Sequence, residues 1–159
     1  MIKPHGSDEL NPLFVSDTDE RNALKAEAET LPSIVLNSAA AANAVMLGGG
    51  YFNPLTGYMN IADALSVAEK MHTVDGLFFP VPIVNLTTDT SVQAGSRIAL
   101  RDPNVDGNPV LAVMDVTGVE HVSDEQMAFM SEKIFRTEDE KHPGVATFNS
   151  LGRTLLSGP

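Results

Sequence analysis

A glycine run, four histidines and several carboxylate pairs are the residues of this 159-residue chain whose type invites a chemical reading. Gly48-Gly49-Gly50 offers bare backbone N–H groups of the kind that cradle a phosphate. A Walker loop, however, needs G-x-x-x-x-G-K-[ST], with a lysine that reaches the β- and γ-phosphates. Here the glycines run into Tyr51-Phe52-Asn53-Pro54 with no lysine nearby, so they read as a helix end with close backbone packing. No two of His5, His72, His121 and His142 have the spacing of a helical metal pair, and none sits in H-E-x-x-H. Each reads as a surface or hydrogen-bonded core residue, and His142, before Pro143-Gly144, as part of a turn. The acids at Asp8/Glu9, Asp19/Glu20, Asp124/Glu125 and Glu138/Asp139/Glu140 read as helix N-termini and solvated loops. General acid–base work asks instead for a desolvated carboxyl in a cleft. A G-x-S-x-G elbow for a serine nucleophile is missing. Composition, period and spacing thus point to no catalytic, cofactor-binding or metal-binding residue.

Composition narrows the class. The chain carries 10 Lys+Arg against 21 Asp+Glu, a formal charge of −11 spread evenly along its length. Phosphate binding by nucleic-acid proteins rests on clustered cations, which this sequence lacks, and an anionic membrane surface would repel it. With no cysteine, disulfides, thiolate zinc sites, iron–sulfur clusters and cysteine nucleophiles are all excluded. The apolar run at 77–84 is far shorter than the ~20 residues of a membrane span, and Met-Ile-Lys-Pro-His-Gly is no secretion signal. Length and a 43% apolar content predict one cytoplasmic domain over 1–159.

The elements follow from caps and periods. After an extended lead-in over 1–16, Asp17 with Glu20 three residues on predicts a capped helix carrying Leu24, Ala28 and Leu31 and ended by Pro32. A short strand is expected at 33–36. Ser38 is expected to cap an alanine-rich helix as far as Leu47, and Asn60 one whose inward stripe is Ile61, Ala64, Leu65, Ala68 and Met71. From Leu77 the period becomes two, with Phe79, Val81 and Ile83 on one face and Val84 and Leu86 on the other. Pro80 and Pro82 demote that strand to an edge or a bulge. Residues 96–117 read as a β-hairpin around the turn Asp102–Pro109, followed by a strand at 118–122. Ser123 and Gln126 predict a capping box for a helix with Met127, Met130, Ile134 and Phe135 inward. A charged loop over 137–143 and short strands at 144–148 and 154–156 complete the chain. Early helices, several short strands and one late helix predict an α+β fold with a small, partly closed sheet.

The segment Gly48-Gly49-Gly50-Tyr51-Phe52-Asn53-Pro54-Leu55-Thr56-Gly57-Tyr58-Met59 resembles the glycine–aromatic–Pro-Leu-x-Gly-aromatic-Met signature of the ATP sulfurylase (sulfate adenylyltransferase) family. The rest of the chain is similar in order to the family's N-terminal region. Met1–Gly6 matches a Pro-His-Gly opening, Leu31-Pro32-Ser33-Ile34 a Leu-Pro-x-Ile strand start, and Phe79-Pro80-Val81-Pro82-Ile83 a Pro-x-Pro strand. Asn108-Pro109-Val110-Leu111-Ala112-Val113 matches the hairpin return. Phe135-Arg136-Thr137 with His142-Pro143-Gly144-Val145 matches the stretch that closes the domain.

The resemblance implies an α+β, PUA-like fold, a mixed β-barrel with flanking helices, belonging to an enzyme that joins ATP and sulfate to give adenosine 5′-phosphosulfate and pyrophosphate, or runs the reverse. It also implies that the catalytic Gln-x-Arg-Asn segment, its neighbouring histidine pair and the Gly-Arg-Asp-His-Ala-Gly loop belong to a domain following this one. Gln93 and Gln126 do not open Gln-x-Arg-Asn, and Arg101-Asp102 is followed by Pro103, not histidine. Leu155-Leu156-Ser157-Gly158-Pro159 resembles the strand that leads into that domain, with Ser157 where glycine or alanine is usual. The expectation is therefore a supporting domain, inactive alone. Its partner would be the catalytic domain, ATP and sulfate would be bound only by the longer enzyme, and the whole would be a homo-oligomer touching neither nucleic acid nor membrane. The alternative is a free-standing PUA-like module for a small ligand or RNA, which rests on fold analogy alone.

Overall fold

Asp17 accepts hydrogen bonds from the backbone N–H groups of Asp19 and Glu20 and so starts the first helix, α1 (Thr18–Ala28), as its side-chain chemistry requires. A computed structural model describes residues 2–159 of the chain; Met1, part of the Pro-His-Gly opening, lies outside the described residues. Then come β1 (Ser33–Val35), α2 (Ser38–Gly48), α3 (Ile61–Lys70), β2 (Asn85–Thr87), β3 (Arg97–Arg101) and β4 (Val110–Asp115). The order ends with β5 (Gly118–His121), α4 (Asp124–Phe135), α5 (Pro143–Asn149) and β6 (Thr154–Ser157).

The strands form two three-stranded sheets. In the first, β1 lies parallel to β3 and β4 antiparallel to it, so the sheet is mixed; the second is antiparallel in the order β2-β6-β5. The predicted hairpin is the β3–β4 pair, with a bulge between Leu100 and Arg101. The sheets meet at one corner, where Thr117 N–H donates to Ser157 (2.9 Å) and Asp115 N–H donates to Pro159 (2.8 Å). On the far side no ladder joins β1 to β2 among the described residues. There the Asn37 side-chain amide spans the gap, donating to the Leu86 carbonyl at 2.8 Å. The strand layer is thus a partly closed barrel with helices around it.

Two apolar cores lie against this layer. One collects Ile34, Leu47, Tyr58, Ile83, Met114 and Leu156 between the first sheet and α2. The other collects Ala64, Leu86, Val122, Met127, Met130 and Leu155, where α3 and α4 cover the second sheet. Strand β6 serves both, because neighbouring residues on a strand point to opposite faces.

Several sequence expectations need correction. Asn37, not Ser38, caps α2: its Oδ1 accepts from Ala40 N–H at 2.9 Å, while the Ser38 hydroxyl donates to Asn104. Helix α1 stops at Ala28, so Leu31 is outside it; Glu20 contributes no reciprocal bond. Val67 replaces Met71 in the buried stripe of α3, for Met71 is the left-handed C-cap (φ 56°) and turns off the helix face into solvent. The run from Leu77 makes no ladder before Asn85. Without N–H groups at Pro80 and Pro82 the pleat is lost, so Phe79 and Ile83 are buried but Val81 is exposed. Residues 144–148 are helical, not extended. His142 caps that helix through Nδ1 and Pro143 occupies its first turn, where a missing N–H does no harm. The capping box at Ser123 and Gln126 forms as expected.

Candidate functional site

The signature segment 48–59 is where sequence particularity is greatest, and its contacts are mechanical. As α2 ends, the Gly48 carbonyl accepts from both Leu13 N–H (2.8 Å) and Phe14 N–H (3.1 Å), which lays the lead-in across the helix terminus. Gly50, at φ +73°, then turns the chain away. Asn53 is buried and fully used. Its Nδ2 donates to the His5 carbonyl (2.8 Å) and the Ser7 hydroxyl (2.6 Å), and its Oδ1 accepts from Asn11 N–H (3.0 Å). One side chain therefore touches residues 5–11 at three points. Asn53→Ala removes three hydrogen bonds at once and is expected to cost about 2–3 kcal/mol. In hydrogen exchange the Asn11 amide, which donates to Asn53, should lose its protection first.

Further along, Gly57 and Tyr58 clasp the outgoing strand. Tyr58 N–H donates to Gly158 (3.1 Å), and Gly158 N–H donates back (3.3 Å). The Tyr58 hydroxyl donates to the Ala40 carbonyl at 2.7 Å, tying the clasp to α2. Burial pushes the Tyr58 phenol well above its ordinary value of 10.0. In the unfolded chain the phenol ionises near pH 10, whereas in the fold it stays neutral. Its stabilisation is therefore complete below pH 10 and falls as pH rises beyond it, by up to about 1.4 kcal/mol per pH unit. Tyr58→Phe should flatten that alkaline fall in urea midpoints while losing about 1–2 kcal/mol at neutral pH with the hydrogen bond.

The residues singled out for chemistry are dispersed. His5 donates to the Phe78 carbonyl (2.7 Å) and His72 to the Lys70 carbonyl (2.8 Å). Both rings meet the Phe78 ring edge-on, while His121 lies exposed at the end of β5. Among the described residues no three His, Asp or Glu side chains converge as metal ligands. The acids at 19–20 and 124–125 occupy the first turns of α1 and α4. Glu120, not singled out by spacing, accepts from Ile61 N–H at 3.0 Å and so supports the start of α3. The Ser91 hydroxyl and N–H hold the Asp89 carboxyl below its usual range.

Three arginines tie elements together. Arg97 binds Glu27 at 2.8 Å and both oxygens of Asp115, which raises its own pKa and fastens α1 to the hairpin. Arg101 reaches Glu29, Ser33 and the Asn108 carbonyl. Arg153 reaches Asp124 and the Asn149 and Gly152 carbonyls. No group of cations converges on a common anion position in these contacts.

An apolar groove of about 700 Å³ lies between the lead-in at 13–16, α1, α2 and β4. Leu13, Phe14, Leu24, Val45, Leu111 and Val113 line it, with Arg21 and Lys25 on the α1 side and Pro159 in the wall. Neither Arg21 nor Lys25 has an ion-pair partner among the described residues. Such a groove can bury apolar groups. Sequence reasoning missed it, although Val110-Leu111-Ala112-Val113-Met114 carries the signal: β4 is apolar on both faces where a half-buried strand would alternate.

Comparison with known proteins gives a consistent result. The chain is 63% identical to the sulfate adenylyltransferase of Allochromatium vinosum over 160 residues, all of this chain and 40% of that protein. It is 59% identical to the sulfate adenylyltransferase of Alcanivorax borkumensis, over 99% of this chain and 40% of that protein. It thus spans about 40% of the length of these curated relatives. A solved structure described as a hexameric APS kinase from Thiobacillus denitrificans superposes with a TM-score of 0.67 at 28% identity, covering 99% of this chain and 26% of that one. The model of the PUA-like domain family matches residues 2–159, and the chain belongs to that family, in the form of it that sulfate adenylyltransferases carry.

Proposed function

We propose that this chain is the N-terminal, supporting domain of a sulfate adenylyltransferase and that it contributes no catalytic residue of its own. The observation that carries the reading is the match along the whole chain, at up to 63% identity, to 40% of proteins of that name. In the reaction of the longer protein a sulfate oxygen attacks the α-phosphorus of ATP and pyrophosphate leaves. Two polyanions must then be held together while charge builds on the leaving group, which demands convergent cations. The scatter of 10 cations among 21 acids in this domain supports placing that work elsewhere, in a part that follows Pro159. The domain's own share is to hold its outgoing strand at a defined position and angle through the Gly57–Tyr58 clasp. ATP and sulfate are accordingly substrates of the longer protein.

The enzyme is cytoplasmic in this reading. None of the helices among the described residues is long and apolar enough to cross a membrane. The hexameric state given for the structural relative supports a homo-oligomer. The free-standing alternative is not favoured, since a −11 chain repels RNA. Purified 1–159, given ATP and sulfate, should release no pyrophosphate above the uncatalysed rate, while the longer protein turns over. Turnover by 1–159 alone would overturn the proposal.

A further inference from the structure

Strand β4 has a ladder on one side only. Val116 N–H donates to Ser96 on the β3 side (2.8 Å), and Asp115 N–H donates the opposite way, to Pro159. Alternation along an antiparallel strand then turns the N–H and C=O of Val113 to the same outer side as Asp115, where they have no partner among the described residues. That open edge forms one wall of the apolar groove. An unpaired apolar edge is a template for another strand.

We propose that this edge is completed by an added antiparallel strand, and that the strand is the segment following Pro159 in the longer protein. The inference rests on the reading above that such a segment exists; its geometry comes from the backbone leaving β6. Thr117 pairs with Ser157 and Asp115 with Pro159, so that backbone already runs antiparallel to β4 in a two-residue repeat. Continued, the repeat sets the second residue after Pro159 opposite Val113. The pairing ends at the bulge beside Leu100, where β4 changes direction. Gly158 makes the approach possible, since a Cβ there would stand 2.1 Å from the Asp115 carbonyl oxygen. Side chains of the added strand that face the groove meet Phe14 and Val45, which are 63% and 48% exposed in this chain. Arg21 and Lys25, which line the groove without an ion-pair partner among the described residues, favour an acidic side chain on the added strand. The mode is β-strand addition, with main-chain hydrogen bonds setting the register and the groove selecting apolar side chains.

Hydrogen exchange by mass spectrometry on 1–159 and on the longer protein tests this. In peptides covering 110–114 the outward Val113 amide should exchange at least about tenfold more slowly in the longer protein, while peptides covering 97–101 exchange alike in both. Equal exchange of 110–114 in the two forms would overturn the proposal. Protection of 110–114 in 1–159 that grows with protein concentration would also overturn it, by assigning the edge to a second copy. Should 1–159 not fold alone, 97–101 will be unprotected too, and Val113→Pro in the longer protein decides. Proline deletes the outward N–H and spares the β3 ladder. Lost protection confined to the residues after Pro159 supports the added strand, and unchanged protection sinks it. Because exchange is read apart from turnover, an inactive longer protein with a protected edge would refute the enzymatic reading alone.

Discussion

Gly57→Ala is expected to destabilise the chain by about 3 kcal/mol or more, a large effect for the addition of one methyl group. A Cβ built at Gly57 falls 1.9 Å from the Gly158 carbonyl oxygen and 2.5 Å from its carbon. Both atoms are backbone, so no side chain can swing aside to relieve the clash. Relief requires the Tyr58–Gly158 bridge to open, which would release the outgoing strand at the point where it passes from β6 to the edge of β4. Gly76→Ala is the matched control. Space around Gly76 is open, and its φ of +86° alone should cost about 1–2 kcal/mol. Urea midpoints of the two variants measured together check the argument, and a smaller loss at Gly57 than at Gly76 would contradict it.

Leu156→Ala and Leu155→Ala should each cost about 2–5 kcal/mol, through lost burial and the cavity left behind. Both leucines are fully buried on the central strand β6, but they enter different cores: Leu156 packs with Tyr58, Met114 and Ile83, Leu155 with Val122, Met127 and Met130. Since domains are stable by only about 5–15 kcal/mol, the double variant should be largely unfolded at room temperature. Thermal and urea unfolding with separate probes in each core provide the measurement. Loss of one core with the other left cooperative would mean that β6 does not join them.

Much of the fold was legible because its signals are local. Asp17, Asn60 and Ser123 each place a side-chain acceptor where free N–H groups of a helix start need one, and each caps as read. The turn at 102–109 forced the β3–β4 hairpin, and Gly118 began β5 as expected. The misreadings share a different cause. Asn37 and Ser38 are both acceptable caps, and long-range contacts chose between them: Asn37 also reaches Leu86 and Ser38 reaches Asn104. At 144–148 a short apolar run is ambiguous between strand and helix, and the His142–Pro143 start settled it as helix. Along 77–84 the alternation was present, but alternation without donors cannot make a ladder.

The absence of metal and phosphate motifs, the acidic balance and the likeness of 48–59 to one enzyme family were all readable from residue order, since each depends on composition or on short spacing. The job of that segment was not readable. Asn53, Gly57 and Tyr58 act on His5, Gly158 and Ala40, partners 48, 101 and 18 positions away. The groove and the open edge of β4 lie further still from local pattern. An edge exists only once the sheet order β1-β3-β4 is set, and its register only once Pro159 has met Asp115. Local chemistry determined the elements of this protein; contacts between distant segments, which sequence spacing does not encode, decided where its chain leaves and what surface it leaves beside.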